Sequence, residues 1–282
     1  MEIILAENAG YCFGVKRAVE IVEDVLRKFS NKRIYSLGDI IHNPQVVQRL
    51  KEKGLRVVTD VDEIENESVV IISAHGRSEK DIKQLKNKKC LVVNATCPYV
   101  KFPQSVIKKL SKEKYFIVLF GDKNHPEVKG LISYTDGKDI VVVDREISDF
   151  DFIKSQKVGI LAQTTQSRED FLALVFALAG RFRETRVFNT ICDATKIRQE
   201  EAIRIAKSVD LMLVVGGKNS ANTKRLYEIS SEYCPNVIHI ETQMELRKDY
   251  FSGVKRVGIT AGASTPDDII REVIERIKSF RD

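Results

Sequence analysis

Leu91-Val92-Val93-Asn94-Ala95-Thr96-Cys97-Pro98 reads as a short apolar strand, a tight polar turn, and a thiol placed where a helix begins. The pattern occurs twice more. Val187-Phe188 runs into Asn189-Thr190-Ile191-Cys192, and Ile3-Ile4-Leu5 runs into Asn8-Ala9-Gly10-Tyr11-Cys12. The three cysteines lie at roughly 90-residue intervals, and each has a lysine four residues on: Lys16, Lys101 and Lys196. Self-similarity at a long fixed period is the mark of a repeated supersecondary unit. The rest of the chain is organised around it.

Working outward, short β-branched runs alternate with helix-length amphipathic segments, the pattern of parallel βαβ units. After Cys12, apolar Val15, Ala18, Val19, Val22 and Leu26 share one helical face, with Lys16, Arg17, Glu20, Glu23 and Asp24 largely off it. Strands are predicted at Ile34–Leu37, Arg56–Val58 and Val69–Ile72; at Leu91–Val93, Phe116–Phe120, Ile140–Val143 and Val158–Leu161; and at Val187–Phe188, Leu211–Val215, Val237–Ile240 and Val257–Thr260. With Ile3–Leu5 added, each of three units holds four. The expected fold is α/β: three small four-stranded, mainly parallel sheets flanked by helices, arranged with pseudo-threefold symmetry around a common centre. No Gly/Ser-rich or Pro-rich linker marks the boundaries. They are expected near the cysteines, at 13–96, 97–191 and 192–282, with residues 1–12 joining the third unit and closing the ring.

The repeat extends into the loops. After the second strand of each unit comes a glycine, and four residues later a polar group: Gly38 to His42, Gly121 to His125, Gly216 to Ser220. After the fourth strand comes Ser73-Ala74-His75-Gly76, Gln163-Thr164-Thr165, or Gly262-Ala263-Ser264. All these side chains and the three thiols are predicted at the carboxyl ends of parallel strands, where open α/β sheets place their ligands.

The 282 residues carry 46 Lys and Arg against 40 Asp and Glu, a net +6 spread evenly along the chain. That is a solvated surface with a mild pull on anionic partners, not a nucleic-acid footprint. No apolar run approaches the ~18 residues of a membrane span, and Met1-Glu2-Ile3-Ile4-Leu5 lacks the basic leader of a secretory signal. A cytoplasmic protein is expected. Five widely spaced cysteines are not a disulfide framework.

Three thiols in matched settings leave one position of a metal site open. Two chemistries suit this, a 4Fe-4S cluster with one free iron or a catalytic zinc. One thiol from each unit favours the larger cluster. Cys90 and Cys234 stand apart as packing thiols, and lysines one turn into a helix are ordinarily solvated. His42, His75 and His125, with Ser220, Asn222 and Ser264, make a set of hydrogen-bond donors backed by helix N-termini, suited to phosphate oxygens. No Walker-type loop is present. His239 alternates within a strand. Glu127, in His125-Pro126-Glu127, is placed to deliver a proton if its pocket holds it protonated, with Thr164 and Thr165 to relay it.

Taken together, His42-Asn43-Pro44, Ala74-His75-Gly76, Ala95-Thr96-Cys97-Pro98, Asn124-His125-Pro126-Glu127, Gln163-Thr164-Thr165, Gly217-Lys218-Asn219-Ser220 and Gly262-Ala263-Ser264-Thr265-Pro266 resemble the 4-hydroxy-3-methylbut-2-enyl diphosphate reductases, the LytB family. The likeness runs in order over nearly the whole chain. It implies a 4Fe-4S cluster on Cys12, Cys97 and Cys192 with one open iron, where the 4-hydroxyl of an allylic diphosphate substrate binds. It also implies that His42, His75, His125, Ser220, Asn222 and Ser264, with Thr165 beside them, hold the substrate. Glu127 would be the proton source, and Thr164 would position the hydroxyl and pass the proton. Two electrons and protons would remove the hydroxyl as water, giving isopentenyl and dimethylallyl diphosphate at the end of the methylerythritol phosphate route. One departure is Ala221, where some relatives have a second serine; it offers the diphosphate no side-chain hydroxyl, although a backbone N–H could still serve. With no flavin or nicotinamide fingerprint in the chain, electrons are expected from an acidic ferredoxin or flavodoxin. Two rivals make other demands: a dehydratase similar in plan to quinolinate synthase would need no reductant, and a cluster-bearing regulatory protein would need no Glu127.

Overall fold

The computed structural model describes residues 1–135, 137–144 and 150–280. Among these the order of elements is β1 (Glu2–Leu5), α1 (Phe13–Lys28), β2 (Ile34–Leu37), α2 (Pro44–Glu52), β3 (Leu55–Val58), β4 (Val69–Ile72), α3 (Glu79–Asn87), β5 (Leu91–Asn94), α4 (Pro98–Lys112), β6 (Phe116–Phe120), α5 (Pro126–Ile132), β7 (Ile140–Val143), β8 (Lys157–Ala162), α6 (Arg168–Leu178), β9 (Glu184–Phe188), α7 (Asp193–Ala206), β10 (Leu211–Val215), α8 (Ala221–Tyr233), β11 (Val237–Ile240), β12 (Arg256–Ala261) and α9 (Asp267–Ser279). Three 3₁₀ turns punctuate the connections.

The strands form three four-stranded sheets in the orders β3-β2-β4-β5, β7-β6-β8-β9 and β11-β10-β12-β1. Every pairing is parallel. The strand leading to a thiol is an edge strand in each sheet: β5, β9 and β1. In the third sheet that strand comes from the start of the chain, with Leu5 beside Ile259 in the register where Val70 meets Val92 and Ile160 meets Val187.

Central strands that are buried on both faces explain why the apolar runs are continuous rather than alternating. In β10, Leu211, Leu213 and Val215 pack into one core, with Ile269, Ile270 and Val273 of α9. Met212 and Val214 pack into the opposite one, with Ala202 and Ile205 of α7 and Leu226 of α8. In β6, Val118 and Phe120 meet Phe171 and Leu174 of α6, while Ile117 and Leu119 meet Ile107 and Leu110 of α4. Each such side chain contributes about 1.5–3 kcal/mol on burial.

By contact the chain divides into two compact units. One comprises Met1–Lys16, His42–Gln48 and Asp193–Asp282, and the other Arg17–Ile41 and Arg49–Cys192. The first contains the β11-β10-β12-β1 sheet and the second contains the other two.

Candidate active site

The loops at the strand ends repeat in their hydrogen bonds as well as in their residues. The backbone N–H of Cys97 donates to the carbonyl of Ala74 at 3.0 Å, that of Cys192 to Thr164 at 3.0 Å, and that of Cys12 to Ala263 at 3.1 Å. In each case the acceptor lies two residues beyond the neighbouring strand. The glycines do likewise: Gly38 donates to Val58, Gly121 to Val143 and Gly216 to Ile240. Two of the three turns are closed by an asparagine, as Asn94 accepts from the N–H of Thr96 and Asn189 from that of Ile191.

Cys12, Cys97 and Cys192 are half-buried, immediately precede α1, α4 and α7, and take no part in disulfides. The Sγ of Cys12 accepts the N–H of Val15 at 3.4 Å, at a helix start where negative charge is favoured. Cys97 is the N-cap of α4. Reduced thiols at helix N-termini are the donor chemistry that an iron–sulfur cluster needs. Among the described residues no group of three or more His, Cys, Asp or Glu is gathered to hold a single metal ion. Lys16 and Lys101 are exposed, and Lys196 pairs with Glu200 at 3.8 Å. Cys234 is buried under the end of α8, its Sγ 3.2 Å from the carbonyl of Asn236.

In the larger unit Glu127 is 2 % exposed. Its Oε1 accepts the N–H of Thr164 at 2.8 Å, and its Oε2 lies 2.7 Å from the Thr164 hydroxyl. Burial pushes its pKa from 4.5 up to about 7, against the downward pull of both Thr164 bonds. With Oε1 committed to a backbone donor, the acid proton belongs on Oε2, facing Oγ1 of Thr164. The hydroxyl can take that proton and pass on its own.

His125 is the N-cap of α5, and its Nδ1 accepts the N–H of Glu127 at 3.2 Å, which leaves Nε2 to carry the proton as a donor. The ring of His75 meets that of His125 edge-on, centroids 5.9 Å apart. The loops after β4 and β6, from different sheets, are thus brought together with Glu127 and Thr164. Thr165 accepts from Nε2 of Gln163 at 3.0 Å and keeps its own proton to donate. Gln163, fully buried, also accepts the N–H of Asp122. A Cβ on Gly121 would come within 2.9 Å of Gln163, so glycine is required there.

In the smaller unit the Ser264 hydroxyl donates to the carbonyl of His42 at 2.9 Å. Ser264 must therefore turn before it can donate to a ligand. Ser220 caps α8, accepting from the N–H of Thr223 at 3.3 Å. Asn222, 5 % exposed, has no hydrogen-bond partner for either end of its amide among the described residues. A buried amide in that state costs free energy unless a ligand completes it. Ala221 contributes no side-chain donor, but as the first residue of α8 its N–H has no intrahelical partner. His239 lies in β11, its Nε2 2.8 Å from the carbonyl of Gly216.

Gln163 was read only as part of a strand-end motif, and the charged Arg17, Arg198 and Glu201 were given no role at these loops. Arg198 and Glu201 did leave a signal, as charged members of a helical stripe that continues with Ala202, Ile205 and Ala206.

Parallel sheets that present thiols, histidines and a protonated carboxyl at their carboxyl ends define an α/β protein built for chemistry at strand ends. The chain belongs to the LytB family, whose profile, described as LytB protein, matches residues 3–278. It is 49 % identical over 283 residues to the 4-hydroxy-3-methylbut-2-enyl diphosphate reductase of Aquifex aeolicus, covering 99 % of this chain and 97 % of that one. It is also 49 % identical over 280 residues to the reductase of the same name from Geobacter sulfurreducens, covering 99 % and 98 %. Among solved structures, (E)-4-hydroxy-3-methyl-but-2-enyl diphosphate reductase, the terminal enzyme of the non-mevalonate pathway, aligns with TM-score 0.71 at 47 % identity over 99 % of this chain and 100 % of that one. The Plasmodium falciparum reductase aligns with TM-score 0.90 at 30 % identity, over 97 % and 87 %.

Proposed function

We infer that this chain is an iron–sulfur oxidoreductase that converts 4-hydroxy-3-methylbut-2-enyl diphosphate to isopentenyl and dimethylallyl diphosphate, the last step of the methylerythritol phosphate (non-mevalonate) pathway. The observation that carries the chemical reading is the buried Glu127–Thr164 pair, a carboxyl whose pKa of about 7 keeps a proton available at neutral pH.

The residues that would hold the cofactor are Cys12, Cys97 and Cys192, and a 4Fe-4S cluster bound by them, with one open iron, would supply low-potential electrons and a place for the substrate hydroxyl. Around it the chain's own side chains divide the work. His42, His75, His125, Thr165, Ser220, Asn222 and Ser264 hold the diphosphate and orient the substrate. Glu127 releases a proton from Oε2 to the Thr164 hydroxyl, which hands one to the departing oxygen. The balance is one substrate, two electrons and two protons to one diphosphate product and one water.

The electrons come from a separate carrier, a ferredoxin or flavodoxin, and the chain's net charge of +6 suits an acidic one. Among the described residues no helix is long and apolar enough to cross a membrane. The reaction is assigned to the cytoplasm, and the division into units 13–96, 97–191 and 192–282, the last joined by residues 1–12, is part of the same reading. Anaerobic turnover with and without a reduced one-electron donor tests it. Products should form only with reductant, in a ratio of one product per two electrons. Product formed without reductant would favour the dehydratase reading instead.

A further inference from the structure

We propose that Arg198 and Glu201 are positioning residues for the Cys12 thiol, gripping from α7 the backbone of the segment that carries it. The proposal rests on the reading of Cys12 as a cluster ligand.

The three thiol segments are not equally constrained. Between strand and thiol stand two residues before Cys97, three before Cys192, and six, Ala6 to Tyr11, before Cys12. The two short segments are tied by Asn94 and Asn189. The long one, like the others, leaves an edge strand, and it has the greatest span to hold. It also turns sharply at Gly10, where φ is +102° and a Cβ would stand 2.7 Å from Oδ1 of Asp267.

Two buried charges hold this segment. Oε1 of Glu201 accepts the N–H of Glu7 at 2.7 Å, and Oε2 accepts the N–H of Asn8 at 3.0 Å and its side-chain amide at 3.4 Å. Nη2 of Arg198 donates to the carbonyl of Gly10 at 2.8 Å, while Nη1 donates to Ala194 of its own helix at 3.0 Å and fixes the guanidinium. The two side chains are 6 % and 7 % exposed. Burying charges costs several kcal/mol where an apolar side chain would pack as well. Glu201 also pairs with exposed Arg204 of its own helix at 3.5 Å, but both buried side chains address the main chain of one segment whose end is a thiol. The same device recurs more weakly at a second thiol, where Nη1 of Arg17 donates to the carbonyls of Ala95 and Thr96 at 3.3 and 3.4 Å, just before Cys97.

The test uses the anaerobically prepared, cluster-loaded enzyme and four variants: Arg198→Gln, Arg198→Lys, Glu201→Gln and Cys12→Ser. Iron release to a chelator, the EPR spectrum of the reduced cluster and the unfolding midpoint of the iron-stripped protein are measured on each. Outer partners of metal ligands are worth roughly 10–100-fold in metal retention, and Arg198→Gln and Glu201→Gln should release iron faster by that factor. Their spectra should be altered while the iron-stripped protein unfolds as the parent does, and Arg198→Lys should restore part of the retention. Release at the parent rate in both variants, or faster release accompanied by an equal loss of stability in the iron-stripped protein, overturns the proposal. Full iron in Cys12→Ser overturns the ligand reading beneath it, whatever the other variants do.

Discussion

Replacing Glu127 by Gln removes one acid proton from a buried pocket and leaves its shape nearly unchanged. Gln can still accept the Thr164 N–H at Oε1, and Oγ1 of Thr164 need only turn to accept from the new amide. General acid catalysis is worth roughly 10²–10⁴-fold, and kcat in Glu127→Gln should fall by that factor with KM little changed. In the parent, burial holds the pKa at about 7. Activity should therefore decline as pH rises through neutrality, with only about a tenth of the carboxyl protonated one unit above its pKa. An ordinary glutamic acid would have lost its proton near pH 4.5.

The same shift is a statement about stability. Below pH 4.5 the carboxyl is protonated in both the folded and the unfolded chain and contributes no difference. Between 4.5 and about 7 the unfolded chain ionises and the folded one resists, so stability is lost with rising pH; above about 7 both are ionised and the loss levels off. The difference between 4.5 and about 7 corresponds to about 3 kcal/mol at ~1.4 kcal/mol per unit. Denaturant unfolding of parent and Glu127→Gln, compared at about pH 5 and pH 8, should show the variant gaining on the parent by about that much at the higher pH. Parallel stability curves, or a loss of turnover smaller than about tenfold, would refute the reasoning.

Thr164→Val keeps the backbone N–H bond to Glu127 but deletes the hydroxyl; since that hydroxyl pulls the carboxyl's pKa down, the alkaline limb of the pH–rate profile should move to higher pH while kcat falls. Asn222→Ala removes an amide that has no partner at either end among the described residues, so it should leave unfolding nearly unchanged while KM rises about tenfold or more, the worth of one hydrogen bond to a charged ligand. Equal damage to stability and KM would mean the amide is structural. Gly217→Ala would place a Cβ 2.7 Å from the carbonyl oxygen of His42, which as backbone cannot step aside, and should cost about 1–3 kcal/mol in unfolding free energy; a neutral result would show that this loop yields.

The strands and their parallel pairing could be read in the sequence because most strands contain a short apolar, largely β-branched run and helix-length amphipathic segments alternate with them. The pairing of Ile3–Leu5 with the last sheet was readable only through the repeat, since four residues near a chain end carry no pairing information of their own. His125, Glu127 and Thr164 were legible as strand-end residues, but their contact joins loops 37 residues apart, and the raised pKa depends on burial that no local pattern encodes. The bond from Ser264 to the His42 carbonyl, 222 residues distant, was invisible for the same reason. Arg198 and Glu201 were hidden differently. They share a helical stripe with Ala202, Ile205 and Ala206, but charged residues on a helix ordinarily face solvent, and the packing shows that these two are buried.

The repeat also explains how one unit came to differ from the others. The residue two beyond the second sheet-edge neighbour supplies the carbonyl that receives a thiol's N–H: Ala74 for Cys97, Ala263 for Cys12, Thr164 for Cys192. Only the last has a hydroxyl. The residue six beyond the strand-end glycine is Pro44, Asn222 or Glu127, and only the last is an acid. Two substitutions at corresponding places of one unit therefore create the buried acid–hydroxyl pair, and they meet because the frame already places those positions side by side. Thr164 then serves both ends at once, its carbonyl fixing the Cys192 turn and its hydroxyl and N–H fixing Glu127. A shift of the Thr164 backbone would disturb thiol and acid together, which ties the geometry of the Glu127 carboxyl to that of the Cys192 thiol. The hydroxyl alone can be removed without moving the carbonyl, so Thr164→Val should separate the two, losing turnover while the iron content stays that of the parent.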